Sequence, residues 1–202
     1  MFTGLIKEIA SVKSFDGKKL RLQARYRPNL GDSIAINGVC LSATQIFDDG
    51  FEVEMGDETR NIVALENFTH KVHIEPAMRI NDRIEGHIVQ GHIDCVGTIT
   101  KIVPGTNATD FYITIPKKFL RFVIPKGSIA VDGVSLTINE VYQEAFRLTI
   151  IPITLSHTLF GSYRVGRRVN IETDMFARYL YYLFKPQQKL SWEEIERIQA
   201  LF

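Results

Sequence analysis

The sequence predicts an all-β protein made of two tandem six-stranded barrels related by internal duplication, with a C-terminal α-helix. Three observations carry this. Residues 33–42 read SIAINGVCLS and residues 128–137 read SIAVDGVSLT, identical at six of ten positions. Most of the chain consists of short runs rich in β-branched and aromatic residues, separated by turn dipeptides. One apolar segment, MFARYLYYLF, follows the second copy.

The repeat sets the organisation. Its four unmatched positions swap like for like: Ile36/Val131, Asn37/Asp132, Cys40/Ser135 and Ser42/Thr137. The offset of 95 continues through Ile46/Val141, Phe51/Phe146 and Thr59/Thr154, and reaches 97 where Val72-His73-Ile74-Glu75 faces Val169-Asn170-Ile171-Glu172. Solenoid units run from about 20 to 50 residues. A period this long is a duplicated small domain. We expect barrels over 1–86 and 87–174, then a helical segment over 175–202.

In the first half, strands are expected at Gly4 to Val12, Lys18 to Ala24, Ser33 to Ile36, Leu41 to Ile46, Phe51 to Met55 and Val72 to Glu75. Asp16-Gly17, Asn37-Gly38 and Asp49-Gly50 mark the turns, since these dipeptides accept positive φ. The second half repeats the pattern, with a further strand at Phe111 to Ile115. About six such strands in a small domain suit a closed barrel. Residues 81–97 are expected to link the halves. Single helical turns are expected near 61–67, 116–120 and 156–160. Asp174 is placed to cap the terminal helix. Ser191-Trp192-Glu193-Glu194 has the form of a capping box for a last short helix.

Composition excludes several classes. Net charge is +1, and no Lys/Arg cluster is interleaved with aromatics, which argues against nucleic acid. Two cysteines make no disulfide framework, so a cytoplasmic setting is expected. The N-terminus reads as no signal peptide, and no apolar run reaches membrane-spanning length. The terminal helix is apolar over more than half its circumference, which suits packing between the barrels or an oligomer contact.

The chemistry candidates cluster in three places. In each repeated loop a turn glycine precedes two short polar side chains: Cys40 with Ser42, and Ser135 with Thr137. Residues two apart in a strand share a face, so Leu41 and Leu136 point the other way. Such a face offers hydrogen bonds to a flat ligand; it equally suits a strand with one polar face to water. The second cluster, GHIVQGHIDC at 86–95, contains His87, His92, Asp94 and Cys95. Its spacing matches no HExxH or CxxC metal pattern. His92, behind Gly91, suits acid–base work or a structural role. The third consists of two breaks in the repeat: Lys126 where the first half has Gly31, and Asp174 where it has Ala77.

Together these residues resemble the riboflavin synthase family. The matching blocks are Met1-Phe2-Thr3-Gly4, Asn37-Gly38-x-Cys40-Leu41, Gly86-His87-x-x-x-Gly91-His92-x-Asp94, and Lys126-Gly127-Ser128 through Asp132-Gly133-x-Ser135-Leu136-Thr137. The resemblance covers essentially the whole chain. Gln90 stands where serine is usual, Cys95 where glycine is, and Ser42 where threonine is.

The resemblance implies Greek-key barrels, each holding one 6,7-dimethyl-8-ribityllumazine. It implies transfer of a four-carbon unit between two such molecules, with no metal or organic cofactor. It implies a homotrimer, joined by the terminal helices, whose sites form between subunits. Association with the lumazine synthase that makes the substrate is left open. By resemblance, Cys40, Leu41 and Ser42 meet the lumazine of the first barrel, with Glu54, Met55, Gly56, Asp57, Glu58 and Thr59. Ser135, Leu136 and Thr137 serve the second, with Ile150, Ile151, Pro152, Ile153, Thr154 and Leu155. Phe2, Gly4, Leu5, Ile6, Ser33, Gly91, His92 and Ile93 line the site, and Lys126 and Asp174 break its symmetry. His92 is the expected proton-transfer group, with Ser135 and Cys40 as further catalytic candidates.

Overall fold

The computed structural model describes residues 1–184. The first barrel is built from β1 (Glu8–Phe15), β2 (Lys19–Gln23), β3 (Ser33–Ile36), β4 (Val39–Phe47), β5 (Gly50–Glu54) and β6 (Lys71–Pro76). The second uses β7 (Cys95–Pro104), β8 (Thr109–Thr114), β9 (Ser128–Val131), β10 (Val134–Val141), β11 (Ala145–Ile150) and β12 (Arg168–Thr173). Both close in the same antiparallel order. β1 pairs β2 and β6, and the circuit runs 1-2-5-4-3-6; β7 to β12 repeat it. Strands 3, 4 and 5 are joined by hairpin turns and strand 2 returns beside 5, which is a Greek key.

Alternation explains the closure. Leu20 and Leu22 point inward with Ile34, Ile36, Leu41, Phe51, Val53, Val72 and Ile74 to form the first core. Ile99, Phe111, Ile113, Ile129, Phe146, Leu148 and Ile171 do so in the second. Two bulges per barrel sharpen the twist that a small barrel needs. They fall at Val12/Ser14 and Ala43/Gln45 in one half, and at Ile99/Lys101 and Ile138/Glu140 in the other. These positions show that the duplication reaches β1, at an offset of 87 rather than 95. Gly97, at the end of the segment expected to run into the first strand of the second barrel, lies inside β7, and the Ile113, Ile115 and Ile171 side chains fill the space where a Cβ would stand.

Short helices follow β5 and β11: α1 (Asp57–Ile62) and, after the one-turn α2 (Lys117–Leu120), α3 (Pro152–His157). The single turns expected near 61–67 and 156–160 are met by 3-10 turns at Leu65–Asn67 and Leu159–Ser162, and α1 and α3 precede them, starting behind the extended residues Gly56 and Ile151. Finally α4 (Met175–Phe184) begins directly behind Asp174, whose carboxylate accepts the Phe176 N–H at 2.8 Å. The capping-box helix expected near 191 lies outside the described residues.

The barrels meet along a pseudo-twofold axis. The turns Asn37-Gly38 and Asp132-Gly133 abut so closely that a Cβ on Gly38 would lie 2.6 Å from Gly133 N, and one on Gly133 2.7 Å from Gly38 N. Around this contact His73 and Asn170, matched in the repeat, reach across to the opposite turn. His73 Nδ1 donates to the Asp132 carbonyl at 2.9 Å, and Asn170 Nδ2 donates to the Asn37 carbonyl at 2.9 Å.

Candidate active site

The expected polar positions occupy matching places. Cys40 and Ser135 lie half-buried on the outer faces of β4 and β10, while Leu41 enters the first core. Ser42 and Thr137 are exposed, opposite Ser33 and Ser128 in register.

What covers Cys40 and Ser135 is not barrel wall. Residues 1–6 and 87–93 precede β1 and β7 and run across to the other barrel. They pair with each other where Phe2 and Val89 exchange backbone hydrogen bonds at 2.7 and 3.0 Å. The Gly4 carbonyl then accepts the Ser135 N–H at 2.8 Å, and the Gly91 carbonyl accepts the Cys40 N–H at 2.9 Å. Both glycines have positive φ, 78° and 80°. A Cβ on Gly4 would lie 2.5 Å from Ser135 Cβ, and one on Gly91 2.5 Å from Cys40 Cβ. Only glycine permits this approach. The strand expected from Gly4 therefore starts at Glu8: the residues before it are a strap.

Each strap is anchored by a buried glutamate. Glu75 accepts the N–H groups of Thr3 at 2.7 Å and Gly4 at 3.0 Å, and the Thr3 hydroxyl at 2.8 Å. Glu172 accepts those of Gln90, Gly91 and His92 at 2.7, 2.8 and 3.1 Å. Burial pushes the Glu172 carboxyl up to about 7, against the N–H bonds that oppose the shift; burial raises Glu75 too. On the second strap Arg178 of α4 adds a clamp, donating to Gln90 and Asp94 at 2.7 Å each.

At the second barrel the first strap and α3 enclose a cleft of about 300 Å³. It is lined by Gly4, Leu5, Ile6, Ser135, Ile153 and Thr154, all expected, together with Lys7, Val134, His157 and Thr158. His87 Nδ1 stands 2.7 Å from Ser135 Oγ. Burial lowers the His87 pKa, opposed by the nearby Asp174 carboxylate, so the ring is neutral near pH 7. A neutral imidazole and a hydroxyl can pass or hold a proton between them.

The remaining expected residues are dispersed. His92 is exposed, and only its backbone N–H is bonded among the described residues. Phe2 is fully buried between the barrels. Met55 and Ile150 enter the two cores. Glu54 pairs with Lys18 at 2.7 Å, and Asp57 with Arg60 at 3.0 Å. Gly56, Glu58, Ile151 and Pro152 are exposed around the starts of α1 and α3, while Thr59 and Leu155 are half-buried within them. Ile93 joins the first core. Lys126 is exposed with φ of 68°, matching Gly31 at 84°. In the histidine cluster, Asp94 serves Thr173 and Arg178, and Cys95 is core, its thiol pushed up to about 12 by burial.

Sequence reasoning passed over His87 as the partner of Ser135, and Glu75 and Glu172 as anchors. The glutamates were visible as the matched ends of VHIE and VNIE, where Ile74 and Ile171 face the cores and the next residue turns a carboxylate to the opposite face, which asks for donors once covered.

Fold and doubled site define a protein of two tandem Greek-key barrels, each carrying one strapped polar position. A model of the lumazine binding domain matches residues 3–77 and again 90–174. The chain is 38% identical to the riboflavin synthase of Actinobacillus pleuropneumoniae over 197 residues, covering 92% of each chain. It is 36% identical to that of Bacillus subtilis over 207 residues, covering 98% of this chain and 96% of the relative. The crystal structure of LumP complexed with riboflavin superposes with a TM-score of 0.76 at 22% identity, over 86% of this chain and 99% of that one. At that identity the likeness bears on the fold. The chain belongs to the riboflavin synthase family.

Proposed function

We propose that this chain catalyses the riboflavin synthase reaction. One 6,7-dimethyl-8-(1-D-ribityl)lumazine gives a four-carbon unit to a second, yielding riboflavin and 5-amino-6-(D-ribitylamino)uracil. The observation that carries it is the strapped polar position, built twice with matching geometry at Cys40 and at Ser135. A dismutation needs two identical ligands in related pockets. Holding them together makes the step effectively intramolecular, which contributes on the order of 7–11 kcal/mol.

The reacting methyl of a lumazine is acidic for a C–H, because its anion delocalises into the ring. Hydrogen bonds to that anion therefore do much of the work, and a strong base is not required. In the second barrel the neutral His87–Ser135 pair suits this: with the proton on Nδ1 the imidazole donates to Ser135 Oγ, and the hydroxyl keeps its own proton to donate to the anion. In the first barrel Cys40 takes the place of Ser135, and His92 follows Gly91 on the strap that covers it. That inequality lets one pocket favour donor and the other acceptor chemistry.

The assembly belongs to the same proposal. The apolar outer face of α4 joins three chains, and the first barrel of one subunit meets the second barrel of its neighbour. We place the enzyme in the cytoplasm. No described helix is long and apolar enough to cross a membrane.

The test is incubation of the protein with 6,7-dimethyl-8-ribityllumazine in the presence of a chelator, following riboflavin by absorbance and fluorescence. One riboflavin per two lumazines consumed supports the proposal. Tight binding without turnover would mark a lumazine-binding protein instead.

A further inference from the structure

Glu75 and Glu172 are only 3% and 2% exposed, yet no cation sits on either carboxylate among the described residues. Their partners are backbone N–H groups of consecutive strap residues. Such a row of donors is an anion cradle, here filled by the protein's own side chain. A carboxylate suits it because both oxygens accept and neither donates. A glutamine of the same shape would turn an NH2 group toward the row and leave an N–H facing an N–H.

The connectivity is crossed. Glu75 stands on β6 of the first barrel, but the strap it holds delivers Gly4 to Ser135 on the second. Glu172 stands on β12 of the second barrel, but its strap delivers Gly91 to Cys40 on the first. The carboxylates touch neither Cys40 nor Ser135. They fix the backbone that lies over those residues and walls the cleft.

We propose that Glu75 and Glu172 are positioning residues acting crosswise, each barrel using its own buried carboxylate to set the lumazine pocket of the other. The functional half rests on reading the two strapped positions as lumazine sites; the structural half does not. The two straps are not equally secured. Arg178 adds its clamp to the second, whereas at the matched positions of the first stand Thr3 and Lys7 in place of Gln90 and Asp94. Loss of Glu75 therefore frees its strap more completely.

The test uses the full chain with Glu75→Gln and Glu172→Gln, read by amide hydrogen exchange and by lumazine turnover. In Glu75→Gln we expect exchange at Thr3, Gly4 and Ser135 to rise at least tenfold, while Gln90, Gly91, His92 and Cys40 keep their protection. In Glu172→Gln the pattern reverses, with a smaller rise. KM for lumazine rises at least tenfold in both. Loosening of both straps by either variant, unchanged protection, or loosened straps with an unchanged KM would each overturn the proposal. Glu75→Asp and Glu172→Asp keep the charge but shorten the reach, and carry the same comparison if a glutamine variant fails to fold. If the unaltered chain does not turn lumazine over, the functional reading fails, and the exchange pattern still decides the crossed anchoring.

Discussion

His73 and Asn170 do the same work with different chemistry, and that difference has a pH signature. His73 donates from Nδ1 to the Asp132 carbonyl and accepts the Leu159 N–H at Nε2 at 2.7 Å. Asn170 donates to the Asn37 carbonyl and accepts the Ala64 N–H at 2.8 Å. A protonated ring donates from both nitrogens, so Nε2–H would confront Leu159 N–H. Burial, with the Arg167 charge adding to it, lowers the His73 pKa to about 4. An unfolded histidine takes its proton near 6.5, so the unfolded chain binds more protons in acid. The stability that neutral His73 contributes is complete above pH 6.5 and lost as pH falls toward 4, by about 3 kcal/mol in full. His73→Asn should cost about 1 kcal/mol at pH 7.5 through lost volume, and should flatten this acid slope. Urea midpoints at pH 7.5 and 4.5 measure it; equal acid losses in variant and parent would rule out His73 as the source. A second divergence sits beside it. Asp132 takes the Tyr163 hydroxyl at 2.6 Å, whereas Phe68 stands at the matched place and Asn37 Nδ2 is buried without a partner among the described residues.

At the scale of elements, the straps matter more than the strands. The strands were legible because a half-buried strand imposes a period of two, as in Leu20 and Leu22 or Phe111 and Ile113. Cys40 and Ser135 were legible because they are short polar residues held at one place in a repeat. The straps were not, since Phe2-Thr3-Gly4 and Val89-Gln90-Gly91 share only their glycine and match at an offset of 87 that the repeated blocks at 33–42 and 128–137 do not show. His87 was obscured for a related reason: its contact with Ser135 depends on a strap that brings it to a serine 48 positions away. The glycines give a sharp prediction. Gly4→Ala and Gly91→Ala each force a Cβ against the opposite barrel, with overpacking of about 1–3 kcal/mol added to backbone strain of similar size. Gly31→Ala meets the same strain at φ of 84° but no atom within 4 Å. We expect Gly31→Ala to keep its turnover, and the two strap variants to lose most of theirs. Thermal melts and lumazine turnover on the three variants check this, and equal losses in all three would assign the effect to strain rather than to strap contact.

At the scale of the whole molecule, among the described residues, α4 carries the largest run of exposed apolar side chains. Its inner edge is engaged: Tyr181 packs edge-on against Phe122 at 5.3 Å and accepts a hydrogen bond from Arg121 at 2.7 Å, and Arg178 holds the second strap. Its outer edge presents Phe176, Tyr179, Leu180 and Leu183 at helical spacing, each more than half exposed. A row of this kind on an enzyme surface marks an interface, and the reaction requires a second pocket to meet the first. The proposed trimer answers both, and it predicts that assembly and activity fail together. In the double variant Leu180→Asp, Leu183→Asp, two carboxylates on that row oppose burial at several kcal/mol each without partners, yet neither residue belongs to a barrel core. We expect sedimentation to show monomers, melting to stay within a few degrees of the parent because each barrel keeps its own core, and lumazine turnover to fall at least a hundredfold. Dilution of the unaltered chain should reproduce the loss, and raising its concentration should reverse it. A monomer with full turnover would place both lumazines within one chain and remove the need for a neighbour.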